Sequence, residues 1–140
     1  LIVEDKNFSY NDISEGDAIV IFSKKRVLEI AEELSEKGIK ASVIYGDLPP
    51  EVRKMQYEEF TSKKTKVLVT TDAIGMGVNL PIRRIIFMTI RKFDGEEVRE
   101  LTSQEVKQVA GRAGRIGIYD KGYVASVGGN AHIIKEKIAN

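Results

Sequence analysis

The sequence predicts an α/β fold, a three-layer sandwich in which a mostly parallel sheet is flanked by helices. Three observations carry this expectation. Short apolar runs such as Ala18-Ile-Val-Ile-Phe22 mark strands covered on both faces. These runs alternate with segments of helical periodicity, which implies right-handed crossovers between parallel strands. The chain has 140 residues, 42% of them hydrophobic, which suits one core of ordinary size.

Residues 1–16 are polar and read as an irregular leading segment, with a single domain over 17–140. After the strand at 18–22, Ser23 is placed to cap a helix, and Val27, Leu28, Ile30, Ala31 and Leu34 give its apolar spacing. Gly38 ends that helix. A strand at 41–45 leads into the turn Gly46-Asp-Leu-Pro-Pro50. Pro50 and Glu51 suit a first helical turn, and Val52, Met55, Tyr57 and Phe60 are expected on the buried side. Strands follow at 66–70 and 84–88, and Phe93-Asp-Gly-Glu96 reads as a hairpin tip or a loop. A helix from Ser103 to about Arg112, a strand at 122–127 and a helix at 131–138 complete the chain.

Composition narrows function. Charged residues make up 31%, and 22 Lys and Arg against 21 Asp and Glu give a net charge of +1. No global basic field draws the chain to nucleic acid, so any such contact must be local. With no cysteine there are no disulfides and no thiolate zinc site, and the single His132 cannot hold a metal alone. No apolar run reaches the roughly 18 residues of a membrane span. The start at Leu1 rather than Met reads as a piece of something longer. The lack of a transit-like, Arg- and Ser-rich start points to the bacterial cytoplasm, with the mitochondrial matrix as the alternative.

In an open parallel sheet, ligands gather beyond the carboxyl ends of the strands. Those ends carry Ser23-Lys-Lys25, Gly46-Asp47 and Thr70-Thr-Asp-Ala-Ile-Gly-Met-Gly-Val-Asn79. Such small and polar groups suit anionic oxygens, though they also serve as ordinary turns and caps. Gln108, Gly111, Arg112 and Arg115 fall at i, i+3, i+4 and i+7, so a continued helix puts them on one face. Two glycines at about 1 kcal/mol each relative to Ala imply a helix end or close backbone approach. The stripe reads equally as a phosphate grip or as a solvated basic face. No Gly-x-x-x-x-Gly-Lys-Ser/Thr loop occurs, nor an Asp-Glu-x-Asp/His strand end. A physical reading follows in which the chain lends arginines to a nucleotide that another domain holds.

Four stretches carry a family resemblance: Ile19-Val-Ile-Phe-Ser23 (motif IV), Val43-Ile-Tyr-Gly-Asp-Leu-Pro-Pro50, Thr70 to Leu80 followed by Arg83 to Phe87 (motif V), and Gln108-Val-Ala-Gly-Arg-Ala-Gly-Arg115 (motif VI). By these the chain resembles the second RecA-like domain of superfamily 2 helicases, in the branch of the mitochondrial degradosome RNA helicase and its bacterial relatives. The resemblance implies a P-loop NTPase-type fold without the P-loop. It implies that Arg112 and Arg115 contact the γ-phosphate of ATP, with Arg115 as arginine finger and Gln108 beside them. It places Gly77, Asn79 and Gly111 at the nucleotide, and Ser23, Gly46, Thr70 and Thr71 on the nucleic-acid backbone. ATP and Mg2+ would be held mainly by the first RecA-like domain of the same protein. The other partners it implies are single-stranded or partly duplex RNA and an exoribonuclease. A DNA-directed translocase and a non-catalytic binding module are the rival readings. The chain would be part of an enzyme and inactive alone.

Overall fold

In the computed structural model, residues 1–74, 78–114 and 118–140 are described. Strands β1 (Ile2–Asn7), β2 (Asp17–Val20), β3 (Ala41–Ile44), β4 (Val67–Thr70), β5 (Arg84–Phe87) and β8 (Tyr123–Ser126) form a six-stranded sheet of order β1-β8-β5-β2-β4-β3. Every pairing in it is parallel. Between β5 and β8 the chain forms an antiparallel hairpin, β6 (Arg91–Phe93) and β7 (Val98–Glu100). The helices are α1 (Lys24–Glu36), α2 (Pro50–Thr61), α3 (Ser103–Ala110) and α4 (Ala131–Ala139).

Strand side chains alternate between two cores, as the period of two requires. Ala18, Val20, Leu68, Ile85, Phe87 and Val124 meet α2, α3 and α4 on one face. Ile19, Val67, Val69, Ile86 and Ala125 meet Val27, Ile30 and Leu34 of α1 on the other. The three-layer expectation therefore holds. Ser23 caps α1, and Gly38, at φ +79°, closes it with Ile39 N–H donating to Leu34 O at 2.9 Å. Leu28, however, is exposed.

On α2 the expected buried face needs correction. Tyr57 and Phe60 are buried, but Met55 is 54% exposed. Arg53 and Gln56 share the inward side instead, at helical spacing with Tyr57 and Phe60. The cause is the sheet edge: β3 is an outer strand, and the Gln56 side-chain carbonyl accepts the Val43 N–H at 2.8 Å. An edge N–H beneath a helix needs such a partner.

The leading segment differs most from expectation. Residues 2–7 are not irregular but form the outer strand β1, parallel to β8. A buried ion network ties down the segment that follows. The Asp17 carboxylate, with no solvent exposure, accepts two bonds from Arg84, at 3.0 and 2.7 Å, one from Arg83 at 3.2 Å and one from Ser14 N–H at 2.8 Å. Arg84 also donates to Glu4 at 2.8 Å and to the Asp12 carbonyl at 2.9 Å, and stands over the Phe8 ring. Burial works against the Arg84 charge, but the bonds and charges of Asp17 and then Glu4 outweigh it and raise its pKa.

Candidate functional site at the carboxyl edge and along the third helix

Neighbouring strands β2, β4 and β3 lead out into Ser23, Thr71 and Gly46, which therefore fall in a row beyond the carboxyl edge. The Ser23 hydroxyl accepts the Arg26 N–H at 3.3 Å. Gly46 is exposed, with open space where a Cβ would stand. Thr71 is 8% exposed, and its hydroxyl accepts the Ala73 N–H at 3.1 Å. Thr70 is fully buried, its hydroxyl donating to the Thr71 carbonyl at 2.8 Å and its carbonyl accepting from Ile21 at 3.1 Å. As the last residue of a strand covered on both faces, it turns its hydroxyl inward.

Arg53, which lies in none of the expected sites, organises this edge. It donates to the carbonyls of Ala73 at 2.7 Å and Tyr45 at 2.8 Å, fixing the turns after β4 and β3 together. A signal existed: an arginine in the first turn of a helix opposes the helix dipole and calls for another partner.

Helix α3 starts on a capping box in which Thr102 and Glu105 satisfy each other's backbone N–H. It stops at Ala110, earlier than the helix expected to about Arg112, so that Gly111 and Arg112 lie just past its last turn. The Arg112 and Ala113 N–H groups close tighter turns, each donating three residues back, to Val109 O and Ala110 O at 3.1 Å, and Gly114 has φ +83°. Gly114 N–H donates to Ile82 O at 2.8 Å. Its missing Cβ would stand 2.9 Å from Gly122 N, so close backbone approach excludes any side chain. Arg115 and Gly77 lie outside the described residues.

Gln108 and Arg112 nevertheless face one cleft of about 130 Å³, shared with Phe22, Asp72, Lys92 and Glu105. Arg112 also lines an adjoining hollow of about 150 Å³ with Asn79, Gly111 and Ile74. Four of the expected residues, Gln108, Arg112, Gly111 and Asn79, thus gather around two joined hollows. Both are below the roughly 300 Å³ at which small-molecule pockets begin. A larger groove, about 800 Å³, runs along α2 past Tyr57 and Val78 to Asn79, but it lacks Gln108 and Arg112.

Arg53, Arg84 and Arg99 are fully engaged within the chain, yet among the described residues no carboxylate pairs with Arg112. A half-buried guanidinium of this kind, beside an amide, suits anionic oxygens. Among the described residues no cluster of three or more His, Cys, Asp or Glu could hold a metal.

Beside Arg112 lies an ion network. Lys92 donates to Asp72 at 2.7 Å, approaches Glu105 at 3.4 Å, and stands 5.7 Å over the Phe22 ring. Hydrogen bonding to Asp72 raises the Lys92 pKa despite burial. Arg99 grips Glu105 with two bonds, at 2.8 and 3.1 Å. That grip, against some burial and with help from Thr102 N–H and Lys92, holds the Glu105 carboxyl at about 2.

Residues 5–117 match the family model of the helicase conserved C-terminal domain, and the chain belongs to that family. Its relatives narrow the branch. It is 46% identical over 116 residues to the ATP-dependent RNA helicase SUV3, mitochondrial, of Candida albicans, covering 82% of this chain and 16% of that one. It is 48% identical over 110 residues to the DExH-box ATP-dependent RNA helicase DExH16, mitochondrial, of Arabidopsis thaliana, covering 76% of this chain and 19% of that one. The chain thus spans less than a fifth of these relatives. Their mitochondrial names overturn the expectation of a bacterial cytoplasmic protein. Among solved structures, the C-terminal domain of the DEAD-box protein Dbp5 is similar in fold, with TM-score 0.70 and 21% identity over 96% of this chain and 79% of that one. Saccharomyces cerevisiae Dbp5 bound to RNA and ADP BeF3 gives TM-score 0.69 and 22% identity, over 89% of this chain and 31% of that one.

Proposed function

We propose that this chain is the second RecA-like domain of an ATP-dependent RNA helicase, in which Arg112 and Arg115, with Gln108, complete an ATP site held mainly by the first RecA-like domain. The observation that carries this is Arg112 beside Gln108, with no acidic partner among the described residues, on hollows too small for a nucleotide. Such donors fit phosphate oxygens approaching from a second surface. ATP with its magnesium supplies the cleavable phosphoanhydride when bound. Arg112 and Arg115 would stabilise negative charge on the transferred phosphoryl group, and Asn79 and Gly111 would border the nucleotide. Ser23, Gly46 and Thr71 would hold the phosphate backbone of a single RNA strand, a contact that positions without reading sequence.

The names of the relatives support RNA as substrate and mitochondria as the compartment. An exoribonuclease partner belongs to the same reading, supported by the degradosome-type motifs. In the intact protein, Arg112→Ala and Arg115→Ala should each lower RNA-stimulated ATPase by about 10³-fold or more while RNA binding persists. Retained ATPase in both variants sinks the reading. The 140-residue chain alone should show no turnover.

A further inference from the structure

We propose that Lys92, on the hairpin between β5 and α3, is a positioning residue that couples the strand-facing turn after β4 to the ATP-facing end of α3. This rests on the reading above and assigns a part to a residue outside all four stretches that carry the family resemblance. The Lys92 ammonium bridges two segments that the reading gives to two ligands. Asp72, bonded at 2.7 Å, directly follows Thr71. Glu105, at 3.4 Å, precedes Gln108 by three residues, one turn of the same helix. Phe22, under the ammonium at 5.7 Å, directly precedes Ser23.

The two carboxylates depend on Lys92 unequally. Glu105 already accepts two bonds from Arg99 and one from Thr102 N–H at 2.9 Å, so its place in α3 is secured without Lys92. Asp72 has Lys92 as its one cationic partner among the described residues. Among those residues, too, no other side chain makes polar contact with both the turn after β4 and α3. The Lys92 side chain is 20% exposed, which keeps these contacts from being fully screened. A strand that shifts Thr71 and Asp72 therefore pulls on Lys92, and through Glu105 on the helix that carries Gln108 and leads to Arg112. The reverse transfer follows, because coupling between binding sites is reciprocal.

The test uses the intact protein with a single-stranded oligouridine at saturation, and reads the ratio of RNA-stimulated to RNA-free ATP turnover. Lys92→Met should lower that ratio about ten-fold, within the usual range of inter-site coupling. Simple loss of folded protein lowers both rates together and leaves the ratio alone. Lys92→Arg should restore most of the ratio, and Lys92→Met combined with Asp72→Asn should be no worse than either alone. A full ratio in Lys92→Met, no rescue by arginine, or losses that multiply in the double variant each overturn the proposal. If the ratio stays full while Arg112→Ala abolishes turnover, only the coupling falls and the ATP-site reading stands. An unaltered protein whose turnover ignores RNA overturns both.

Discussion

The two glycines of Gln108-Val-Ala-Gly-Arg-Ala-Gly-Arg115 look alike in sequence, yet their substitution by alanine should have very unequal consequences. Gly114 has φ +83°, where an alanine costs about 1–2 kcal/mol. The new Cβ would also stand 2.9 Å from Gly122 N and 3.0 Å from Gly122 Cα. Those are backbone atoms, and forcing them apart adds about 1–3 kcal/mol. Gly114→Ala should therefore cost about 2–5 kcal/mol, a large part of the roughly 5–15 kcal/mol that holds a domain folded. Gly111 has φ −64°, ordinary for a helix end. There alanine gains about 0.4–1 kcal/mol by restricting the unfolded chain. Its Cβ would lie 3.0 Å from Lys107 O, which offsets part of the gain. Gly111→Ala should stay within about 1 kcal/mol of the parent. Gly122→Ala separates the two contributions, because its Cβ would stand 2.5 Å from Ala113 O without a positive φ at Gly122; it should cost about 1–3 kcal/mol. Urea unfolding of the 140-residue chain, with unchanged slope, measures all three. Equal effects at Gly111 and Gly114, or a near-neutral Gly114→Ala, would refute the reasoning.

Arg84→Met should cost about 3–5 kcal/mol, since it leaves the fully buried Asp17 carboxylate with Arg83 as its remaining cation, and hydrogen exchange should quicken first across β1 and residues 8–14; a loss below about 1 kcal/mol would contradict the network's role. Glu105 predicts a pH effect. Its carboxyl lies at about 2 in the folded chain against an ordinary 4.5, held down first by Arg99. Its contribution is thus present above pH 4.5 and lost as pH falls through about 2. Glu105→Gln should flatten the acid limb of stability in that window, and melting curves across it that match the parent would exclude the effect.

Much of the fold was legible because local periodicity reports burial. Ala18-Ile-Val-Ile-Phe22 is apolar throughout because both faces of β2 are covered, and Ser23, Gly38 and Pro50 punctuate helices through their own backbone chemistry. β1 was not legible. It is an edge strand, exposed or half-exposed along its length, so it carries no apolar alternation, and its partner β8 lies at the far end of the chain. Met55 misled for a related reason: apolar character predicts burial only until an edge strand demands Gln56 in its place.

The same division runs through the candidate site. The sequence alone determined the chemical inventory: two arginines, an amide and two glycines in one short stretch, with no phosphate loop to accompany them. Only the tertiary structure decided where the helix stops, that Gly114 must pass against Gly122, and that the Thr70 hydroxyl faces inward. It alone decided that Lys92, from a hairpin without a motif, reaches both Asp72 and Glu105. The reason is range: propensity, capping and periodicity act within a few residues, whereas close backbone passage and convergent charge arise between segments that only the folded sheet brings together.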